Sequence, residues 1–196
     1  NKIYKNKNII FTCQNEGIIE IIGNKKPKFT RKLRKIKYLG AICVVLKLKR
    51  NFSNIYWLNI ADQSAPFGGI IEHTNFVDKK HYKNDHVLYL SKYFDNKDYL
   101  YKRSKKEIFQ IAKRFLKRVD PNFNEKLIKN FFIFSSTHAA VLNDLNFSKK
   151  IVKYDEGFKN VFIANMMHIY PEERSINNSV RVAANVCKKI GIKNKI

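Results

Sequence analysis

The sequence is short of several features that define common classes of protein. Its three cysteines, at positions 13, 43 and 187, are far apart and form no CxxC pair. They predict neither a disulfide framework nor a zinc site and favour a reducing, cytoplasmic location. The longest apolar run, residues 41–46, suits a strand and falls short of the roughly 18–20 residues that span a membrane. The first residues, NKIYKNKN, lack the apolar centre of a signal peptide.

Motifs that would assign a reaction are also missing. The sequence has no GxGxxG or GxxxxGK[ST] loop for phosphates and no GxSxG nucleophile elbow. Its five histidines lack the i, i+4 spacing of a helical metal site, so we expect no bound metal. Glu172 and Glu173 are adjacent and point different ways, which does not favour a paired acid and base. Pattern alone therefore assigns no catalytic residue.

Acidic residues are scarce. The chain has 39 Lys and Arg against 16 Asp and Glu, a net charge of +23. Such an excess is typical of proteins that bind nucleic acid or anionic surfaces. However, the lysines occur in nearly every segment and outnumber the arginines, whereas phosphate recognition favours the planar arginine fork. A non-catalytic basic module for nucleic acid is therefore an alternative and not the leading hypothesis.

The apolar pattern predicts an α+β fold with a mostly antiparallel meander sheet. Short apolar runs predict strands at residues 8–12, 38–49, 55–60, 69–76, 87–93, 127–136 and 161–164. Residues 51–54 are short enough to join the second and third of these as a hairpin. One long amphipathic helix is predicted over residues 104–119, with Ser104 and Glu107 as a capping box and a solvated basic face. Residues 15–22 predict a short helix capped by Asn15, and residues 24–37 predict a basic loop.

The last third of the chain predicts a strand, a polar loop and a closing helix. The helix is expected to begin at Asn177 or Asn178 and to end at Gly191. Its apolar stripe is predicted to contain Val180, Ala183, Ala184, Cys187 and Ile190. A helix start leaves backbone N–H groups unpaired and attracts anions or electron-rich oxygens. Many αβ units share this pattern, so it indicates a site only weakly.

Several stretches, in order, resemble the C-terminal half of the FAD-dependent amine oxidase and protoporphyrinogen oxidase-like superfamily. UDP-galactopyranose mutase is a more distant relative. NIIFTCQNEGIIEII is similar to the strand and helix that lead into the family's substrate domain. YLGAICVVLKLKR, YWLNIADQSAPFGGIIEHTNF and HVLYLSKYF resemble the sheet of that domain, and HAAVLNDLNFSK resembles the return toward the flavin. VFIANMMHIYPEERSINNSVRVAANV looks like the flavin-contacting segment, so the resemblance covers nearly the whole chain.

The resemblance implies three segments and a set of site residues. Residues 1–37 would be a crossover, 38–150 a substrate-binding domain, and 151–196 a strand–loop–helix that contacts FAD. Residues expected at the cofactor, mainly through backbone near the ring, are Ala164, Asn165, Ser175, Ile176, Asn177, Asn178, Ser179 and Val180. Residues expected to face a small-molecule substrate are Trp57, Asn59, Phe67, Glu72, His73, Tyr93 and Arg174, the last reaching a phosphate or an acid.

The sequence departs from the family pattern in two ways. The N-terminal dinucleotide-binding motif is missing, and Ser175 stands where the pattern usually has glycine. We therefore expect a fragment that needs an FAD-binding N-terminal segment as partner, holds FAD weakly or not at all, and purifies colourless. The implied function is the substrate-binding and flavin-capping portion of an FAD-dependent oxidoreductase with hydride transfer to flavin. A portion of a UDP-galactopyranose mutase-like isomerase, acting on a sugar nucleotide, is the alternative within the same fold.

Overall fold

The computed structural model describes residues 5–95 and 98–192. Within them the chain forms two compact units, Leu39–Ala139 and a second unit made of Asn1–Tyr38 with Ala140–Ile196. The helices are α1 (Asn15–Ile22), α2 (Pro27–Leu33), α3 (Lys105–Val119) and α4 (Ile176–Ile190). The strands are β1 (Ile9–Phe11), β2 (Tyr38–Leu48), β3 (Trp57–Asn59), β4 (Gly69–Glu72), β5 (His86–Phe94), β6 (Ile128–Val141) and β7 (Val161–Ile163). The predicted α+β class is confirmed.

The Leu39–Ala139 unit is built on a five-stranded sheet in the order β3-β4-β5-β2-β6. Strands β3, β4 and β5 form the predicted antiparallel meander, and β5 also pairs antiparallel with β2. The hairpin predicted at residues 51–54 is wrong, because β2 lies next to β5 and β6 and not next to β3. The lengths explain the pairing: β2 has 11 residues and β5 has 9, whereas β3 has only 3 and could not satisfy the backbone of β2.

Helix α3 covers one face of this sheet. Its buried residues Ile108, Ala112, Phe115 and Leu116 recur at helical spacing, and they pack against the inward side chains of β2 and β5. The capping box of Ser104 and Glu107 is present as predicted. Each large aliphatic or aromatic side chain buried here stabilises the fold by about 1.5–3 kcal/mol. The apolar contact with α3 therefore fixes which sheet face is core and which face stays open.

Gly40 marks the tightest approach within the sheet. It lies in β2 opposite Phe94 of β5. A Cβ atom at this position would lie 2.4 Å from the Phe94 ring and 2.8 Å from the Ser136 carbonyl oxygen. Real Cβ atoms do not approach other atoms this closely, so the position requires glycine.

The second unit contains the parallel pair β1–β7 and the helices α1, α2 and α4. Its core combines residues from α1, α2 and the chain after β6: Ile18, Ile22, Phe29, Leu33, Ile36, Phe147, Val152, Ile163 and Met167. The loop predicted over residues 24–37 is wrong, because Pro27–Leu33 is helical. Pro27 occupies the first turn, where its missing N–H costs nothing, and Phe29 and Leu33 point to the core one turn apart.

The predicted strand–loop–helix closes the chain. Ser175 caps α4, which begins at Ile176, one or two residues before the predicted start at Asn177 or Asn178, and Gly191 ends it in the left-handed conformation (φ 83°). The predicted apolar stripe of α4 is wrong, since Val182 and Val186 are the buried residues. Val180 is 59% exposed and Ile176 is 84% exposed, so one apolar strip of α4 faces solvent.

Candidate functional site

The carboxyl ends of β1 and β7 meet at one edge of the small sheet, because the two strands are parallel. The N–H of Ala164 donates to the Phe11 carbonyl oxygen at 2.9 Å, which extends the pairing by one residue. Beyond this point residues 12–14 lead to α1 and residues 164–175 lead to α4. In sheets with parallel strands, ligands bind in the crevice outside the carboxyl ends. The structure thus places Ala164 and Asn165 at the edge where such a ligand would lie.

The side chain of Asn165 ties the two loops together. Its Nδ2 donates to the Cys13 carbonyl oxygen and to Asn15 Oδ1, both at 2.9 Å, and its Oδ1 accepts from the Met167 N–H at 3.2 Å. Asn165 is buried and Asn15 is fully buried. Asn15 was predicted as a helix cap, but Gln14 occupies that position and Asn15 Nδ2 donates to the Leu33 carbonyl oxygen at 3.1 Å. Any contact of Asn165 with a ligand would therefore use its backbone.

His168 completes the loop after β7, and no sequence pattern indicates its role. Its Nε2 lies 3.0 Å from the Val152 carbonyl oxygen, which can only accept, and its Nδ1 lies 3.4 Å from the Asn165 N–H. The ring therefore carries its proton on Nε2. It stacks on Tyr154 with 4.5 Å between ring centroids. Burial lowers the pKa of His168, so the imidazole is a neutral structural group.

The first turn of α4 is exposed to solvent. Side chains of the same segment cap some of its backbone groups. Ser175 Oγ accepts from the Asn178 N–H at 3.1 Å, and Ser179 Oγ donates to the Ser175 carbonyl oxygen at 2.9 Å. Helix geometry leaves the N–H groups of Ile176 and Asn177 without an intrahelical carbonyl, and both residues are exposed. The helix dipole adds partial positive charge at this end. The predicted ring-contacting residues thus offer backbone donors, while the hydroxyls of Ser175 and Ser179 are occupied by the cap. Arg174 is exposed in the loop just before them.

The open face of the larger sheet carries three of the predicted substrate residues. The register places Trp57 beside Ile71 and Asn59 beside Gly69, so both β3 residues project to the outer face. Trp57 Nε1 donates to Asn59 Oδ1 at 2.9 Å. Tyr93 projects to the same face of β5, and Trp57 and Tyr93 are each 54% exposed. This face therefore presents aromatic rings and an amide to solvent.

His73 follows β4 directly and is linked to two tyrosines. Its Nε2 lies 2.6 Å from the Tyr82 hydroxyl oxygen. Its ring meets Tyr82 and Tyr89 edge to face, with centroids 5.2 and 5.6 Å apart. The structure therefore brings a half-buried imidazole and two phenols together directly after β4.

Two predicted substrate residues lie on the opposite, buried side. Phe67 is fully buried, with its ring 5.5 Å from that of Phe115. Glu72 is fully buried because alternation along β4 turns it inward, and its Oε2 accepts from the Phe52 N–H at 3.0 Å. Burial raises the pKa of Glu72 from 4.5 to about 7. The structure therefore separates Phe67 and Glu72 from the open face, and their expected contact with substrate is not supported by their positions.

The described part of the chain contains neither a metal-binding cluster nor a membrane-spanning helix. Among residues 5–95 and 98–192, no group of three or more His, Cys, Asp or Glu side chains could hold a metal ion. Within the same ranges, no helix has the length and apolar character needed to cross a membrane.

No protein-family model matches the sequence, and no curated protein is significantly similar to it. Solved structures match its fold. A protein from Exiguobacterium sp. 255-15, assigned as a protoporphyrinogen oxidase, matches 95% of this chain with a TM-score of 0.73 at 12% identity. Reduced UDP-galactopyranose mutase matches 98% with a TM-score of 0.74 at 9% identity. An oxidoreductase from Methanosarcina mazei matches 94% with a TM-score of 0.68 at 9% identity.

These matches confirm the resemblance found in the sequence at the level of the fold. The chain spans 41%, 42% and 44% of the three matched chains, about two fifths of each. The chain thus has a fold that also occurs in oxidoreductases and in a sugar-nucleotide mutase. At identities this low the shared fold does not carry an activity from those proteins to this chain.

Proposed function

We propose that this chain is the substrate-binding and flavin-capping portion of an FAD-dependent oxidoreductase of the amine oxidase-like kind. The observation that carries the proposal is the unit that combines the β1–β7 crevice with the open start of α4. This unit belongs to a fold that also occurs in a protein assigned as a protoporphyrinogen oxidase and in an oxidoreductase.

The residues present fit one end of FAD. The pyrimidine edge of a flavin gains negative charge on reduction, and the exposed N–H groups of Ile176 and Asn177 at the positive end of α4 suit that charge. The pyrophosphate end needs a glycine-rich loop, and the sequence contains no GxGxxG motif. We therefore propose that an FAD-binding segment supplies the nucleotide half of the site and that this chain caps the ring.

When bound, the flavin would accept a hydride from a C–H bond of the substrate, and with loss of a proton from the neighbouring atom a C–N or C–C single bond would become a double bond. The chain's own residues would bind, orient and exclude water. Trp57 and Tyr93 would pack on the apolar part of the substrate, and Asn59 would hydrogen-bond to it. Arg174 would pair with a phosphate or a carboxylate. His73, hydrogen-bonded to Tyr82, would orient a polar group of the substrate.

The first test is the coding sequence upstream of Asn1, which should contain a strand followed by GxGxxG within a βαβ unit. The segment it encodes should then be produced together with this chain. Under anaerobic conditions a panel of amines should bleach the flavin of the assembled protein, whereas UDP-sugars should not. An upstream region without the motif, or a flavin that no amine reduces, would count against the proposal.

A mutase-like portion is the second candidate, because the fold matches UDP-galactopyranose mutase equally well, with a TM-score of 0.74. The net charge of +23 also suits a diphosphate substrate. Saturable binding of a UDP-sugar to the assembled protein, without net flavin reduction, would favour this candidate. Steeply salt-dependent binding of nucleic acid by the chain alone would instead favour a basic binding module.

A further inference from the structure

A cavity of about 640 Å³ lies along α3, between residues of this helix and Pro66 and Tyr99. Its apolar floor is made by Pro66, Ile111 and Phe115. Three arginines line it as well: Arg103, Arg114 and Arg118. Its volume falls within the range of about 300–1,000 Å³ that is common for small-molecule sites.

The charge in this cavity is positive, with three arginines against one glutamate, Glu107. That carboxylate is already engaged, since it accepts from Ser104 in the capping box and from Arg103 at 3.0 Å. Arg118 pairs with Asp62 at the exposed surface. Arg114 differs, because among residues 5–95 and 98–192 no hydrogen-bond or ion-pair partner of its guanidinium is found. In the cavity, the guanidinium of Arg114 thus has no partner within the described residues. The guanidinium groups of Arg103 and Arg118 are in exposed ion pairs, which contribute little energy.

We propose that this cavity binds a small organic anion, a phosphate or carboxylate carried on an apolar ring. The planar fork of Arg114 suits two parallel hydrogen bonds to such a group. Arg118 lies one helical turn away and adds positive charge on the same side of α3. The apolar body would rest on Ile111, Phe115 and Pro66. Gln110, one turn before Arg114, supplies an exposed amide for orientation.

The arrangement differs from a merely solvated basic face. Lys105 and Lys106, on the same helix, lie outside the cavity. Arg114 also lines a second cavity of about 440 Å³, with Lys113 and Lys117 on its other side. Arg114 is therefore the central cation of this surface. The proposal does not depend on flavin binding, and its test uses the chain alone.

The test is calorimetric titration of the full chain with phenyl phosphate and, separately, with inorganic phosphate. We expect one saturable site that binds phenyl phosphate more tightly, because only its ring uses the apolar floor. Arg114→Gln should weaken phenyl phosphate binding about tenfold or more, since a charge-assisted bidentate contact is lost. Lys106→Gln removes the same charge from the same helix outside the cavity and should change the affinity less than about twofold.

Arg114→Lys keeps the charge without the fork and should fall between wild type and Arg114→Gln. Circular dichroism of each variant checks that the fold is intact. If Arg114→Gln and Lys106→Gln lost equal affinity for phenyl phosphate, the effect would be general electrostatics and the proposal would be overturned. Absence of saturable binding at millimolar phenyl phosphate would overturn it too. If the chain bound vesicles of phosphatidic acid in an Arg114-dependent way but did not bind phenyl phosphate, the small-molecule proposal would be wrong and the ligand would be a lipid surface.

Discussion

Replacing Asn165 by alanine should weaken the unit that carries the candidate flavin site. The substitution removes two donated hydrogen bonds, to Cys13 and Asn15, and the acceptor for the Met167 N–H. All three lie in a buried or half-buried setting, where water cannot replace the lost partner. The loop after β7 would then lose its side-chain hydrogen bonds to Cys13 and Asn15.

The expected size follows from these contacts. A typical hydrogen bond contributes about 1 kcal/mol net, and a buried polar group left without a partner costs about 1–3 kcal/mol. The free energy of unfolding should therefore fall by about 3 kcal/mol. In urea, where the slope is roughly 1–3 kcal/mol per molar for small proteins, the midpoint should fall by about 1–3 M. Asn143→Ala, an exposed asparagine in the same unit, should change stability by less than about 0.5 kcal/mol.

Urea unfolding followed by circular dichroism measures the effect, and a double-mutant cycle assigns it to the pair. Asn165→Ala and Asn15→Ala share the Asn165–Asn15 hydrogen bond of 2.9 Å. The double variant should lose less stability than the sum of the single variants, by about 1 kcal/mol. A loss in Asn165→Ala no larger than in Asn143→Ala, or strict additivity in the cycle, would refute the role given to this network.

Three further predictions concern single positions. Gly40→Ala should lower the free energy of unfolding in urea by about 3 kcal/mol or more, because the added Cβ has no room. Gly68→Ala, which has open space around it, should leave that free energy nearly unchanged. Similar losses in both variants would contradict the close packing at Gly40. Burial raises the pKa of Glu72 from 4.5 to about 7, so stability should fall by about 3 kcal/mol as pH rises between those values. Glu72→Gln should flatten that decline, and an unchanged pH dependence would remove Glu72 as its source. Asn177→Asp should raise the stability of α4 by about 0.3–1 kcal/mol and weaken retention of FAD by the assembled protein, while Asn185→Asp should leave FAD retention unchanged; equal retention in both variants would contradict a ring at the start of α4.

Local patterns in the sequence predicted the elements whose signals are local. The capping box of Ser104 and the left-handed stop at Gly191 are short-range chemistry, and both appear in the structure. The helix of α2 was missed because its core contacts are only Phe29 and Leu33, too few to show a period. Pro27 at its first turn was the available signal.

Tertiary contacts decided the features that the sequence could not predict. Helix α4 carries apolar residues on two sides, so the choice of Val182 and Val186 as the buried side depends on what packs there. Glu72 lies in a stretch that resembles a substrate-facing strand, but its inward direction depends on the register of β4. The Asn165 side chain donates to Cys13 and Asn15, which lie 152 and 150 residues away in the chain, and no local pattern links these positions.

The visible absorbance of the purified chain, alone and together with the FAD-binding segment, tests the central proposal most directly. We predict that the chain alone is colourless and that the assembled pair is yellow with about one FAD per pair. A chain that is yellow alone with near-stoichiometric flavin would contradict the proposal that it supplies only the capping half of the site. A pair that stays colourless would contradict the proposal that the assembled protein binds a flavin.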